Sequence, residues 1–210
     1  MAVILTVAQR KGGAGKTTLV ANLAAALAPH MRVALVDIDP QRSLTRWHEL
    51  RVARTPAAAV LTISDVSGWR LPSTLERLKA SHDVVLIDSP PQIDTDARQA
   101  VRAANLVLIP LQPSPPDLWA AEGTITLASE EGRPIRLILN RAPAKSRLRG
   151  IMEADIAARG LTLLSASLGN RAGFATAFAA GLGVTEAAPR SVAAAEMAAL
   201  TDEIMKATKQ

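Results

Sequence analysis

Cysteine is absent from all 210 residues, and so is tyrosine; phenylalanine occurs twice and tryptophan three times. Without thiols the chain has no disulfide, thiolate zinc site, iron–sulfur cluster or cysteine nucleophile, and a reducing cytoplasm is the expected compartment. The three histidines, His30, His48 and His82, follow no ligand spacing and read as surface residues. With so few aromatics there is no platform on which single-stranded bases would stack, and Trp47, Trp69 and Trp119 read as packing residues. No apolar run approaches the ~18 residues of a membrane span. The first residues enter an aliphatic segment directly, without the regions of a signal peptide.

What is present is mostly aliphatic: hydrophobic residues make up 49% of the chain, dominated by Ala, Leu, Val and Ile. Continuous aliphatic runs suit strands of a parallel sheet buried on both faces. Such strands are expected at 2–8, 32–37, 60–63, 83–88, 106–109 and 135–139, with a short one near 162–164. Helical spacing is found at 17–28, 43–54, 72–79, 94–104, 117–129, 147–159, 172–180 and 192–206, with Ser43 placed to cap the second of these. Pro110, Pro113, Pro115 and Pro116 predict an extended loop before the helix at Asp117. No internal repeat or linker interrupts the pattern. Strands alternating with helices predict an α/β fold over 1–210: one doubly wound, mainly parallel sheet flanked by helices, with no preceding helix-turn-helix domain.

One stretch carries chemistry at once. Lys11-Gly12-Gly13-Ala14-Gly15-Lys16-Thr17-Thr18 lies between the first strand and the first helix, where a phosphate-binding loop must sit. Glycines let backbone N–H groups crowd around an anion, and the helix N-terminus adds its positive dipole end. Lys16 would reach the β- and γ-phosphates, and the Thr17 hydroxyl would ligate Mg²⁺. A run of this form arises by chance in roughly 1 in 10⁴–10⁵ chains of this length, given average composition. The loop departs from G-x-x-x-x-G-K-[ST] in having Arg10 where the first glycine belongs, followed by Lys11.

Two further strands end in acids. Val84-Val85-Leu86-Ile87-Asp88 has the form of the second nucleotide-site motif, whose Asp holds Mg²⁺ directly or through water. Asp37-Ile38-Asp39-Pro40-Gln41 offers two more carboxylates, one for the metal shell and one to orient an attacking water. For Asp39 alone, an Asx-turn with Pro40-Gln41 is the competing structural explanation.

Together with Asp88-Ser-Pro-Pro, Pro110-Leu-Gln-Pro-Ser-Pro, Leu139-Asn140-Arg141 and Gly181-Leu-Gly-Val-Thr-Glu186, these motifs run nearly the length of the chain in one order. The set resembles the ParA/MinD group of deviant-Walker ATPases, and within it the small ParA-type (ParF-like) partition ATPases. The resemblance implies an ATPase using ATP and Mg²⁺. In it, Lys11 would be the signature lysine that reaches the phosphates of a partner subunit, and Thr18 would lie near the α-phosphate. Asp39 would polarise the attacking water, with Asp37 in the metal's outer shell and Asp88 ending the second motif. Ser89-Pro90-Pro91 would form a switch, and Asn140 and Arg141 would contact adenine. The family often has Asn where this chain has Gln9. A lysine whose counter-charge is a nucleotide bound in the other subunit predicts a homodimer that forms with ATP and is lost on hydrolysis. The resemblance also implies an activating partner, a ParB-like centromere-binding or adaptor protein with a basic flexible tail.

The net charge of +5 is uneven. Between Arg133 and Arg171 there are eight Lys and Arg against two acids, Glu153 and Asp155. Such a cluster suits non-specific binding to duplex backbone, with Arg147, Arg149 and Arg171 as candidates and Lys145 and Arg190 behind them. Cytoplasmic location with nucleoid association follows. Two alternatives share the catalytic motifs. A MinD-like membrane-positioning ATPase needs a terminal amphipathic helix with large apolar residues and a basic face, whereas Val192–Gln210 is rich in Ala and carries Glu196, Asp202 and Glu203. No membrane partner is expected. A dethiobiotin-synthetase-like enzyme would pass the γ-phosphate to a carboxylated metabolite, and Lys11 with Asp39-Pro40-Gln41 argues against it. An iron-protein-like electron donor needs the absent cysteines. The motifs leave the cargo open among plasmid, chromosome, chemoreceptor cluster and carboxysome.

Overall fold

The aliphatic runs become the strands of one sheet. In the computed structural model, which describes residues 2–54, 61–66, 68–92, 94–143 and 147–209, they are β1 (Val3–Val7), β2 (Val33–Asp37), β3 (Thr62–Asp65), β4 (Val84–Asp88), β5 (Leu106–Leu111) and β6 (Ile135–Leu139). Their order is β3-β2-β4-β1-β5-β6, and every neighbouring pair is parallel. The helices are α1 (Lys16–Leu27), α2 (Ser43–Arg54), α3 (Leu71–Ser81), α4 (Thr95–Ala103), α5 (Pro115–Glu130), α6 (Arg147–Ala158), α7 (Ala172–Ala179), α8 (Val184–Ala187) and α9 (Val192–Ala207).

Alternation along each strand divides the core between two helical layers. Leu5, Val7, Leu35, Leu86, Leu108 and Ile138 pack with α1, α2, α7 and α9. On the other face Ile4, Val36 and Ile87 meet α3, while Ile109, Leu111, Leu137 and Leu139 meet α5 and α6. Both faces are covered, which is why the strands show no polar alternation.

Proline chemistry accounts for two departures from the sequence expectation. Pro110 lies within β5, not in a loop. The Leu108 carbonyl accepts from Ala8 N, so alternate residues 108 and 110 face β1, whose pairing stops at Leu108. No ladder bond therefore requires an N–H at residue 110. Pro115 and Pro116 open α5 instead of preceding it, because the first helical positions need no N–H donor. The stretch 162–164 makes only an isolated bridge, Leu163 with Leu137, at the β6 edge. Of the expected strand at 60–63, residue 60 lies outside the described residues, and the strand observed runs from 62 to 65.

The segment after α7 fixes α2. Gly181 has φ +70°, and a Cβ there would stand 2.3 Å from Arg51 N. Arg51, itself buried, pairs with Glu186 at 2.6 Å, and Trp47 Nε1 donates to the Leu182 carbonyl at 3.3 Å. Trp47 is thus the packing residue expected, whereas Trp69 and Trp119 stand 69% and 59% exposed. Along α9, Ala193, Ala194, Met197, Leu200, Thr201 and Ile204 are buried. No helix among the described residues is long and apolar enough to cross a membrane.

Candidate nucleotide site

Sheet register brings the acidic strand ends together: Val7 pairs with Asp88, and Asp88 with Asp37. From the end of β1 the chain turns through Gly13 at φ +76° and Gly15 at φ +90° into α1. Gly15 is required twice over. The angle suits glycine, and a Cβ would lie 2.4 Å from Asn140 Nδ2. Asn140 donates that Nδ2 to the Ala14 carbonyl at 2.8 Å, and its Oδ1 accepts from Arg141 N at 3.0 Å. Its amide thus clamps the loop to β6. No side chain caps the N-terminus of α1, so its first N–H groups stay available to an anion.

Lys16 is buried to 7% exposure, and its ammonium has no hydrogen-bond partner among the described residues. Burial lowers its pKa against the pull of Asp88 and Asp39, so a phosphate would supply the counter-charge that the protein withholds. Thr17 Oγ1 donates to Asp88 Oδ2 at 2.7 Å. The other oxygen, Asp88 Oδ1, is buried and has no hydrogen-bond partner among the described residues. Burial pushes the Asp88 carboxyl up to about 7, opposed by the Thr17 bond and reinforced by Asp37. A buried, half-satisfied carboxylate beside a hydroxyl fits Mg²⁺, which favours the charged form. Asp37 is differently employed. Its Oδ2 accepts from Thr45 N and Oγ1, both at 2.9 Å, and its Oδ1 from Asp39 N at 3.2 Å. It therefore ties the start of α2 to the site, while burial raises its carboxyl too. Asp39 is half-buried, with Oδ1 held by Gln41 N at 2.9 Å. Among the described residues no three acidic or histidine side chains gather as a metal cage. Thr17 and Asp88 with phosphate oxygens are thus the fitting set, the usual arrangement for Mg²⁺.

Two cavities adjoin across Gly15, Thr18 and Arg141. The smaller, about 280 Å³, is lined by residues 12, 13 and 15–18 of the loop, by Asp39, Gln41 and Ser43, and by Pro91 and Phe178. Its size and donors suit phosphates. The larger, about 450 Å³, lies between Leu19, Asn140, Arg141, Leu168–Ala172 and Phe174. Apolar walls with a few polar groups suit a planar base. Arg141 reaches both cavities from a left-handed φ of +52°, an uncommon conformation for a non-glycine residue.

The profile of the CobQ/CobB/MinD/ParA nucleotide-binding domain matches residues 5–184. The chain belongs to this family. It is 33% identical over 201 residues, 93% of this chain and 92% of the relative, to the maintenance of carboxysome distribution protein A of Halothiobacillus neapolitanus. Among solved structures it is similar to the septum site-determining protein MinD complexed with Mg-ADP from Pyrococcus horikoshii (TM-score 0.81, 22% identity, covering 99% of this chain and 97% of that one). The ATP complex of a Cyanothece McdA variant superposes with TM-score 0.79 at 21% identity, covering 98% and 96% of the two chains. At those identities the structural likeness establishes the fold, and the six-stranded parallel sheet is the ParA/MinD one. The family is one of nucleotide-binding domains, and the two neighbouring structures hold Mg-ADP and ATP.

Within this ParA/MinD frame, Lys11 does not line its own phosphate cavity. Its Nζ lies 2.6 Å from Asp117 Oδ2, with the lysine side chain 39% exposed and the carboxylate buried. Burial resists ionisation of Asp117, but Lys11, the Ser114 hydroxyl and Gln112 N together hold its carboxyl below the usual range. Sequence reasoning missed Asp117, which reads as an ordinary acid in the first turn of a helix. It also missed Thr45, Phe174 and the 168–170 wall, which carry no motif.

The basic candidates separate. Arg147 and Arg190 are exposed, with no ion pair among the described residues. Arg149 pairs with Glu153 at 2.7 Å. Arg171 pairs with Glu196 at 2.6 Å and lines the larger cavity. Lys145 lies outside the described residues.

Proposed function

We propose that this protein is a cargo-positioning ATPase of the ParA kind, in which two copies close around ATP, hold duplex DNA, and part after hydrolysis. The position of Lys11 carries the reading. A second loop lysine that is half-exposed and directed away from its own phosphate cavity has no phosphate to meet within its own subunit. It does have one across a face-to-face dimer. Occupancy by ATP would then draw Lys11 from Asp117 to the partner's phosphates, coupling dimerisation to the triphosphate.

The reaction is attack of water on the γ-phosphorus, with ADP as leaving group. Lys16 and the α1 N-terminus would bind the β- and γ-phosphates and stabilise charge that develops there. Mg²⁺, held by Thr17 and Asp88, would neutralise the phosphate oxygens. Asp39 keeps one oxygen on Gln41 N and has the other for the attacking water, which it would orient and whose proton it would accept. Asp37 joins this loop to α2, so movement at the phosphates would reach α2 and, through Arg51 and Glu186, the α7–α8 segment.

Arg147 and Arg190 are the free cations best suited to DNA backbone. Arg149 and Arg171 would first have to leave their acidic partners. The burial of the apolar stripe of α9 in its own core supports DNA over a membrane as the anionic surface. Similarity over nine-tenths of the chain to a carboxysome distribution protein favours a large protein assembly as cargo, recognised through an adaptor.

The Lys11→Ala variant tests the reading. It should bind ATP yet stay monomeric by light scattering and fail to co-sediment with duplex DNA. A dimer formed by this variant with ATP would remove the cross-subunit role.

A further inference from the structure

The base cavity is walled by a loop whose anchor lies outside it. We propose that Glu196, on α9, is a positioning residue for base recognition: it fixes residues 169–171 as the wall against which the base of the nucleotide packs. The proposal rests on reading the 450 Å³ cavity as the base site.

Glu196 is not among the residues lining the cavity, yet three bonds tie the wall to it. Its Oε2 accepts from Gly169 N at 3.0 Å and from Arg171 Nε at 2.9 Å, and its Oε1 accepts from Arg171 Nη2 at 2.6 Å. This is a bidentate guanidinium–carboxylate fork, the pairing that fixes orientation as well as charge. Gly169 makes the fork possible. A Cβ there would stand 3.0 Å from Arg171 Nε and 3.2 Å from Cζ, so the guanidinium lies against bare backbone. On the other side the wall is joined to the end of β6, where Ala142 N donates to the Leu168 carbonyl and Leu168 N to that of Leu139, both at 2.9 Å. One tether thus comes from the strand that carries Asn140 and Arg141, and the second from the last helix. With the second removed, Gly169 N and the Arg171 guanidinium lose their shared acceptor, and residues 169–171 are held only through Leu168.

The phosphates have separate support. Every residue of the smaller cavity belongs to the loop and α1, to 39–43, or to Pro91, Arg141 and Phe178, and among the described residues none of these hydrogen-bonds to Glu196. A defect at Glu196 should therefore weaken the contribution of the base and spare that of the phosphates, a separation that general loss of folding would not produce.

Calorimetric titration of the full chain with Mg-ATP and with Mg-tripolyphosphate reads the two contributions apart. Glu196→Ala should bind Mg-ATP about tenfold more weakly, the loss expected for one charged hydrogen-bonding anchor, and bind Mg-tripolyphosphate within about twofold of the unaltered protein. Glu196→Gln keeps an acceptor for Gly169 N and should fall between the two; it carries the comparison if the alanine variant does not fold. Unchanged ATP affinity in both variants would overturn the proposal, as would equal weakening of both ligands. If the unaltered protein binds tripolyphosphate as tightly as ATP, the base does not use this cavity, and the proposal falls together with the reading beneath it.

Discussion

Replacing Asp88 with asparagine should make the nucleotide-free protein more stable above neutral pH while destroying its response to Mg-ATP. The carboxyl is fully buried between β1 and β2, with one oxygen on Thr17 and the other without a partner among the described residues. Burial raises it from 3.8 to about 7, so folding favours its protonated form. The stability gained from that preference is full below about pH 4, declines between 4 and 7, and is gone above 7. Ionising such a group in place costs at most about 4 kcal/mol at 1.36 kcal/mol per tenfold, and relaxation around the charge brings the working figure to ~1–3 kcal/mol. Asparagine keeps the acceptor for Thr17 and never charges. For a chain of this size each kcal/mol moves Tm by about 2–4 °C. Asp88→Asn should thus melt ~2–12 °C above the unaltered protein at pH 8 and close to it at pH 4.5, followed by circular dichroism without nucleotide. Mg-ATP should then raise the Tm of the unaltered protein and leave that of the variant nearly unmoved, because the charged oxygens that fit the metal are gone. A variant no more stable than its parent at pH 8, or a difference independent of pH, would refute the account of Asp88 as a buried carboxyl awaiting a cation.

Two further substitutions probe other links. Asp39→Ala should retain ATP binding and the ATP dimer but lose about 10²–10⁴-fold in turnover, the range for a positioned base; phosphate release at the parent's rate would move the water-orienting role to another residue. Gly181→Ala should cost ~3 kcal/mol or more, since its left-handed φ and a Cβ 2.3 Å from Arg51 N combine strain with a backbone clash. A fall in Tm of less than about 2 °C would show that the α2 contact yields.

The phosphate loop was legible because its chemistry is local. Glycines that must turn, a lysine and a hydroxyl sit in consecutive positions, and the strand before and helix after them are set by short-range pattern. The aliphatic strands announced a parallel sheet for the same reason. Where proline entered, position mattered more than identity: Pro110 was admitted to β5 because the neighbouring strand had ended, and Pro115 and Pro116 started a helix because its first turn needs no donors. No run of residues reveals where a neighbouring strand stops.

Other parts of the site were not written locally at all. Asp117 became the partner of Lys11 from 106 positions away, and Glu196 became the anchor of Gly169 and Arg171 from the last helix. Arg171, counted by sequence among the basic residues for DNA, pairs with Glu196 and lines the larger cavity. Asn140, expected at the adenine, lines the larger cavity and also gives its amide to Ala14 and Arg141. Charge and side-chain type are fixed by the sequence, but which charges meet is fixed by strand order, and order β3-β2-β4-β1-β5-β6 sets side by side segments that the chain separates by dozens of residues. The sequence alone therefore pointed to a phosphate-binding loop and singled out the lysine and threonine proposed to serve it. Only the tertiary structure decided where the second lysine rests and what holds the wall of the larger cavity, because both depend on contacts across the fold that no local pattern encodes.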